Sequence, residues 1–173
     1  MGRNRVWARR FVAAALGLSL VGGCGYTLSS VLPGHIKTIA IPVFGNNTVE
    51  FGLADEVTQS LSDAFLADRR LKIVRERDAD SVLRGTIVSY RNQVFGYTTA
   101  ERATEYEVVL AVKIAFRDVV KNRDIWKEDA LTVRTTYNVV AVGTEPAKTE
   151  NDGRRDAIQK LADQILSRTL QGW

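Results

Sequence analysis

Glu105-Tyr106-Glu107-Val108-Val109-Leu110-Ala111-Val112-Lys113-Ile114-Ala115-Phe116-Arg117 carries the clearest period-two pattern in this chain. Tyr106, Val108, Leu110, Val112, Ile114 and Phe116 fall on one side; Glu107, Val109, Ala111, Lys113, Ala115 and Arg117 fall on the other. Successive strand side chains point to opposite faces of a sheet, so the first set predicts a core face and the second a mixed one. The mixed face is polar enough for water and apolar enough for a partner. Upstream, Val82 to Phe95 predicts another long strand whose alternation breaks near Ser89, where a bulge or strong twist is expected. Downstream, Lys121-Asn122-Arg123-Asp124 reads as a hairpin loop and Ile125 to about Val139 as a third long strand.

Working toward the N-terminus, Lys37 to Phe44 predicts a strand with Ile39, Ile41 and Val43 on a buried side, and Pro42 places that end at an edge or a terminus. Gly45 to Thr48 reads as a loop. Leu53, Val57, Leu61, Ala64 and Phe65 then recur every three or four residues, which predicts an amphipathic helix ending near Asp68. Leu71 to Val74 is a short strand and Arg75 to Asp80 a charged turn. At the other end, Gly143 to Gly153 reads as a long polar loop, followed by a second helix with Ile158, Leu161, Ala162, Ile165, Leu166 and Thr169 on one stripe. The predicted class is α+β: a two-layer sandwich with a mostly antiparallel sheet of four to five strands and two helices on one face.

The leader decides where such a domain would reside. Arg3, Arg5, Arg9 and Arg10 precede an apolar run from Phe11 to Val21, then Gly22-Gly23 and the chain's one cysteine, Cys24. That order predicts a signal peptide over residues 1–23, and Val21-Gly22-Gly23-Cys24 resembles the bacterial lipobox. Cleavage before Cys24 would leave it as the N-terminus carrying diacylglycerol and an N-acyl chain, with residues 24–34 as tether and 35–173 as one domain. Phe11 to Gly23 is 13 residues, whereas a membrane-crossing helix needs about 20. The predicted anchor is therefore lipid, and two or three acyl chains suffice for stable attachment. Gly25 in place of Asp points, by resemblance to sorted lipoproteins, to the outer membrane.

Charge and inventory narrow the function. The net charge is +4, but four of the 24 Lys and Arg are the leader arginines, which leaves 20 against 20 Asp and Glu. A neutral mature chain lacks the basic surface that nucleic-acid binding demands. His35 is the single histidine, and acylation would consume the single thiol. No Cys-His, zinc or Ser-His-Asp constellation can be assembled from that set, so neither catalysis nor a cofactor is expected.

Cys24-Gly25-Tyr26, the strand from Ile36 to Phe44, Leu83-Arg84-Gly85-Thr86-Ile87, Thr104-Glu105-Tyr106, Phe116-Arg117-Asp118, Ile125-Trp126 and the ending Leu170-Gln171-Gly172-Trp173 together resemble the lipopolysaccharide-assembly lipoprotein family LptE. The resemblance implies an outer-membrane lipoprotein facing the periplasm that lodges inside the LptD β-barrel, assists its assembly and binds lipopolysaccharide. By that resemblance the loop cations Arg91, Arg102, Lys121, Arg123 and Lys148 are candidates for the phosphates of lipid A. Ile39 to Gly85 is also similar to the small α/β domain of CsgG-, LpoB- and TolB-type envelope proteins, whose partner would be a peptidoglycan synthase or a secretion pore. The long paired strands from Glu105 to Val139 and the terminal helix fit the first family better.

Overall fold

The computed structural model describes residues 32–97 and 102–171. The leader, Cys24, most of the tether and Trp173 lie outside them. In chain order the elements are β1 (Thr38–Ala40), β2 (Gly45–Asn46), α1 (Leu53–Asp68), β3 (Lys72–Ile73), β4 (Ser81–Tyr97), β5 (Ala103–Asp118), β6 (Arg123–Asn138) and α2 (Glu150–Gln171). A short 3-10 turn, Glu76–Asp78, occupies the charged segment before β4.

The sheet is mixed and six-stranded, in the order β3-β1-β4-β5-β6 with β2 beside β4. This differs from the expected four to five mostly antiparallel strands. Only the long strands β4, β5 and β6 pair antiparallel; β1 runs parallel to both β3 and β4, and β2 parallel to β4. The sandwich itself is as expected. Leu110, Val112, Ile114 and Phe116 of β5 meet Leu53, Val57, Leu61 and Phe65 of α1 and Ile158, Leu161 and Ile165 of α2 in one core. Both helices therefore cover the same face. Fully burying each of these side chains contributes roughly 1.5–3 kcal/mol.

The first strand is shorter than its sequence suggests. After Ala40 the chain leaves the ladder: Pro42 has no N–H to give, and the Phe44 N–H donates to the Thr58 hydroxyl of α1 at 3.0 Å. Phe44 consequently turns into the core while Val43, expected on the buried side, is 66% exposed. The Phe44 ring packs against Gly85 of β4, whose missing side chain makes the room. Gly45 and Asn46, expected in a loop, add the two-residue β2.

Helix α2 begins three residues earlier than Gly153 suggests. Thr149 and Asp152 form a reciprocal cap, with the Thr149 N–H donating to Asp152 Oδ2 at 2.9 Å and the Asp152 N–H to the Thr149 hydroxyl at 3.4 Å. Gly153 lies inside this helix, and the Tyr137 ring fills the space a Cβ there would need.

Candidate partner and lipid interface

The face of the sheet away from the helices has no covering layer among the described residues. Its composition is set by a bulge in β4, where the register with β5 shifts between Ile87 and Ser89. Before the bulge Leu83 and Ile87 point to the helices; after it Tyr90 does, and Ser89, Arg91 and Gln93 turn to the open face. Arg91, expected beside a loop, thus lies within β4 opposite Val109.

Cross-strand rows run over this face. Gln93, Glu107 and Thr136 form one row and Arg91, Val109 and Arg134 the next. Glu107 is buried even here, because Gln93 Nε2 donates to its Oε2 at 3.0 Å and Arg134 Nη1 does so at 3.4 Å. A charge in that position is tolerated because it is both paired and hydrogen-bonded. Lys113 pairs with Asp129 at 2.9 Å further along. A shallow cavity of about 350 Å³ opens between Pro42, Val43, Arg84, Thr86, Lys113 and Ala115.

One end of the sheet gathers the turn side of β4 and β5 with the segment that follows β6. The Val139 N–H donates to Thr104 O at 3.0 Å and the Lys148 N–H to Asn138 O at 2.8 Å. These bonds bring the Lys148 loop to the end where β5 starts after Arg102. The Lys148 ammonium bonds Asp156 Oδ2 at 2.8 Å, a contact that raises its pKa. Tyr106 stacks on Tyr137 with ring centroids 5.6 Å apart. Beside them, Arg154 lies over the Tyr90 ring and bonds Glu56 at 2.9 Å, joining α2 to the start of α1. Burial, then the neighbouring Glu150 charge, pushes the Tyr90 hydroxyl well above its usual pKa.

Lys121 and Arg123 stand at the opposite end. The turn spans residues 119–122, so Arg123, expected in the loop, is the first residue of β6 and pairs with Asp118. The 16 residues of β5 separate the two ends, a distance of roughly 50 Å at the rise of a strand. The five cations therefore do not form one cluster: Arg91 lies on the open face, Arg102 and Lys148 at one end, Lys121 and Arg123 at the other.

Sequence reading missed the Glu107 network and the Arg154 bridge. A carboxylate inside an otherwise apolar run was the available signal for the first. The second joins residues about a hundred positions apart and left no local trace. The solitary His35 donates from Nε2–H to Asp118 Oδ2 at 2.8 Å. Among the described residues no group of three or more His, Cys, Asp or Glu could hold a metal ion, and no helix is long and apolar enough to cross a membrane.

The fold recurs in solved structures. The PelC dodecamer subunit from Paraburkholderia phytofirmans is similar with a TM-score of 0.54 at 19% identity, covering 83% of this chain and 95% of its own. A minor lipoprotein from Acinetobacter baumannii is similar with a TM-score of 0.51 at 22% identity, covering 79% and 92%. The protein XCC0632 from Xanthomonas campestris reaches 0.56 at 10% identity, covering 83% and 91%. At these identities the likeness concerns the fold. No curated protein matches the sequence. The family model LptE, lipopolysaccharide-assembly, matches residues 36–169.

Proposed function

Because the chain belongs to the LptE lipopolysaccharide-assembly family, we propose that it is an outer-membrane lipoprotein, anchored through acylated Cys24, that plugs the LptD β-barrel, assists its assembly and binds lipopolysaccharide. The observation that carries this reading is the extent of the family match, which runs from just before β1 to the last turn of α2. The open sheet face supports it. Its rows mix an ionic network, single cations and small apolar residues, a surface suited to the polar, water-lined lumen of a large barrel. In this reading the protein acts by binding, as its family does.

Lipopolysaccharide contact is assigned to Arg91, Arg102 and Lys148, which belong to the open face and the end of the sheet where β4 meets β5. Phosphates on lipid A accept charge-assisted hydrogen bonds from such side chains, each contributing about 1.5–3 kcal/mol. Lys121 and Arg123 are candidates on the same chemistry, but they stand roughly 50 Å from Arg102 and Lys148 at the far end of β5, and this proposal leaves them out of that phosphate site.

The test is to purify the lipidated, C-terminally tagged protein from detergent-solubilised outer membranes and identify its companions by mass spectrometry. One large β-barrel protein in stoichiometric amount is expected. A peptidoglycan synthase, or no barrel, would replace this reading with the CsgG- and LpoB-type alternative. Alanine at Arg102 and Lys148 together is expected to weaken lipopolysaccharide capture by the purified complex at least tenfold; unchanged capture removes this site.

A further inference from the structure

At the tether end of the sheet an apolar tip stands among cations that the plug reading leaves without a task. Val119 and Val120 form the tip of the β5–β6 turn and are 45% and 65% exposed. The turn beneath them is fixed. The Val119 N–H donates to Asp80 O at 2.9 Å, and the Lys121 N–H to Asp118 Oδ1 at 2.9 Å.

Strand register lines up four exposed cations along this end. Thr38 is opposite Lys72 in the β1–β3 pair, while Ile39, Ser81, Asp118 and Arg123 lie across β1, β4, β5 and β6. Lys72, Lys37, Lys121 and Arg123 thus share one margin, all exposed. The acids there are already engaged. Asp80 Oδ2 accepts from the Lys37 N–H, the Thr38 N–H and the Thr38 hydroxyl. Asp118 accepts from His35 Nε2 and from the Lys121 backbone N–H, and Asp124 faces Arg117 at 3.6 Å. The margin is net positive.

The chain also enters the domain here. Leu32 packs on the core, the Ile36 N–H donates to Pro33 O at 2.9 Å, and His35 is bonded to Asp118 at the foot of the same turn. Leu32 is the eighth residue after Cys24, and that stretch reaches at most about 28 Å. An acylated Cys24 would therefore hold this end within about 28 Å of the bilayer.

We propose that the Val119-Val120 tip and its flanking cations dock on the anionic phospholipid surface of the membrane that anchors the chain. The valines enter the interfacial region while Lys37, Lys72, Lys121 and Arg123 meet headgroup phosphates. The contact is available to the lipoprotein before a barrel encloses it, and it turns the opposite end, with Lys148 and Arg102, away from the lipid. The inference takes its direction from the Cys24 anchor of the proposed function, but it concerns a surface that can be probed without either acyl chain or barrel.

The experiment is vesicle flotation of the whole mature chain carrying Cys24→Ala and secreted behind a non-lipoprotein leader. Vesicles of phosphatidylethanolamine are compared with vesicles that also contain phosphatidylglycerol. Flotation only with phosphatidylglycerol, weakening as salt rises, is expected. Lys121→Glu with Arg123→Glu lowers it roughly tenfold or more, Val119→Ser with Val120→Ser lowers it several-fold, and Arg155→Ala with Lys160→Ala, at exposed positions of α2, leaves it unchanged. Far-ultraviolet circular dichroism checks that each variant is folded. No flotation with anionic vesicles, or flotation that survives both tip variants, overturns the proposal. A chain that co-purifies with its barrel yet ignores vesicles would refute the membrane contact alone.

Discussion

Gly85 is a residue whose side chain is excluded by a neighbour rather than by backbone geometry. The Phe44 ring occupies the place of its Cβ, and Phe44 is itself buried in the core. Gly85→Ala is therefore expected to destabilise by roughly 1–3 kcal/mol, the usual cost of overpacking. Gly34→Ala, where no atom lies near the added methyl, should be close to neutral; urea unfolding of the two variants checks the contrast. Asp80 offers a different kind of test. Hydrogen bonds from the Lys37 N–H, then from Thr38, hold its carboxyl below the usual carboxylate range. A pKa lowered by folding contributes stability that is full above the unfolded value of about 3.9 and is lost as pH falls through the folded one. Thermal unfolding followed from about pH 6 down to pH 3 should show a shallower acid decline for Asp80→Asn than for the parent chain.

Elements differ in how far their own residues reveal them. β5 was legible because it is central, long and covered on one face only, so alternation reports its geometry directly. α1 was legible for the same reason at the helical period, with Leu53, Val57, Leu61 and Phe65 all buried. β1 was not. It lies between β3 and β4, and three residues give too short a window for periodicity to show where the ladder stops. The bond from Phe44 to Thr58 that redirects the chain is tertiary and leaves no pattern in the segment itself. On the open face, Glu107 was placed correctly by parity, whereas Arg91, expected beside a loop, lies inside β4, which runs on to Tyr97 past a bulge that turns its side chain to the open face. Leu110→Ala should cost about 2–5 kcal/mol, and Val43→Ala less than about 0.5 kcal/mol. Equal costs in urea unfolding would mean that Val43 is buried, as its alternation alone suggests.

At the scale of the molecule, the fold is one cooperative core shared by a sheet and two helices that come from opposite halves of the described chain. α2 supplies Ile158, Leu161, Ala162 and Ile165 to that core and packs over β6, whose Leu131 and Val133 belong to the same core. A chain ending at residue 149 is expected to lose its sharp thermal transition and its near-ultraviolet circular dichroism while keeping some β signal. The two ends of the long hairpin are chemically distinct. One carries the tyrosine stack and the Arg154 bridge, the other the valine tip and the tether. Because they lie roughly 50 Å apart, substitutions at one end should add independently to substitutions at the other.

The first strand of the chain is an interior strand, flanked by β3 and β4 and clasped by Asp80 and Ser81. Tension applied through the N-terminal segment would thus be carried along β1, parallel to its axis, with the ladder bonds on both sides loaded together instead of opening one after another. The attachment resists mechanical pulling in shear. A domain pulled by its first residues would then take the load without peeling from its own sheet.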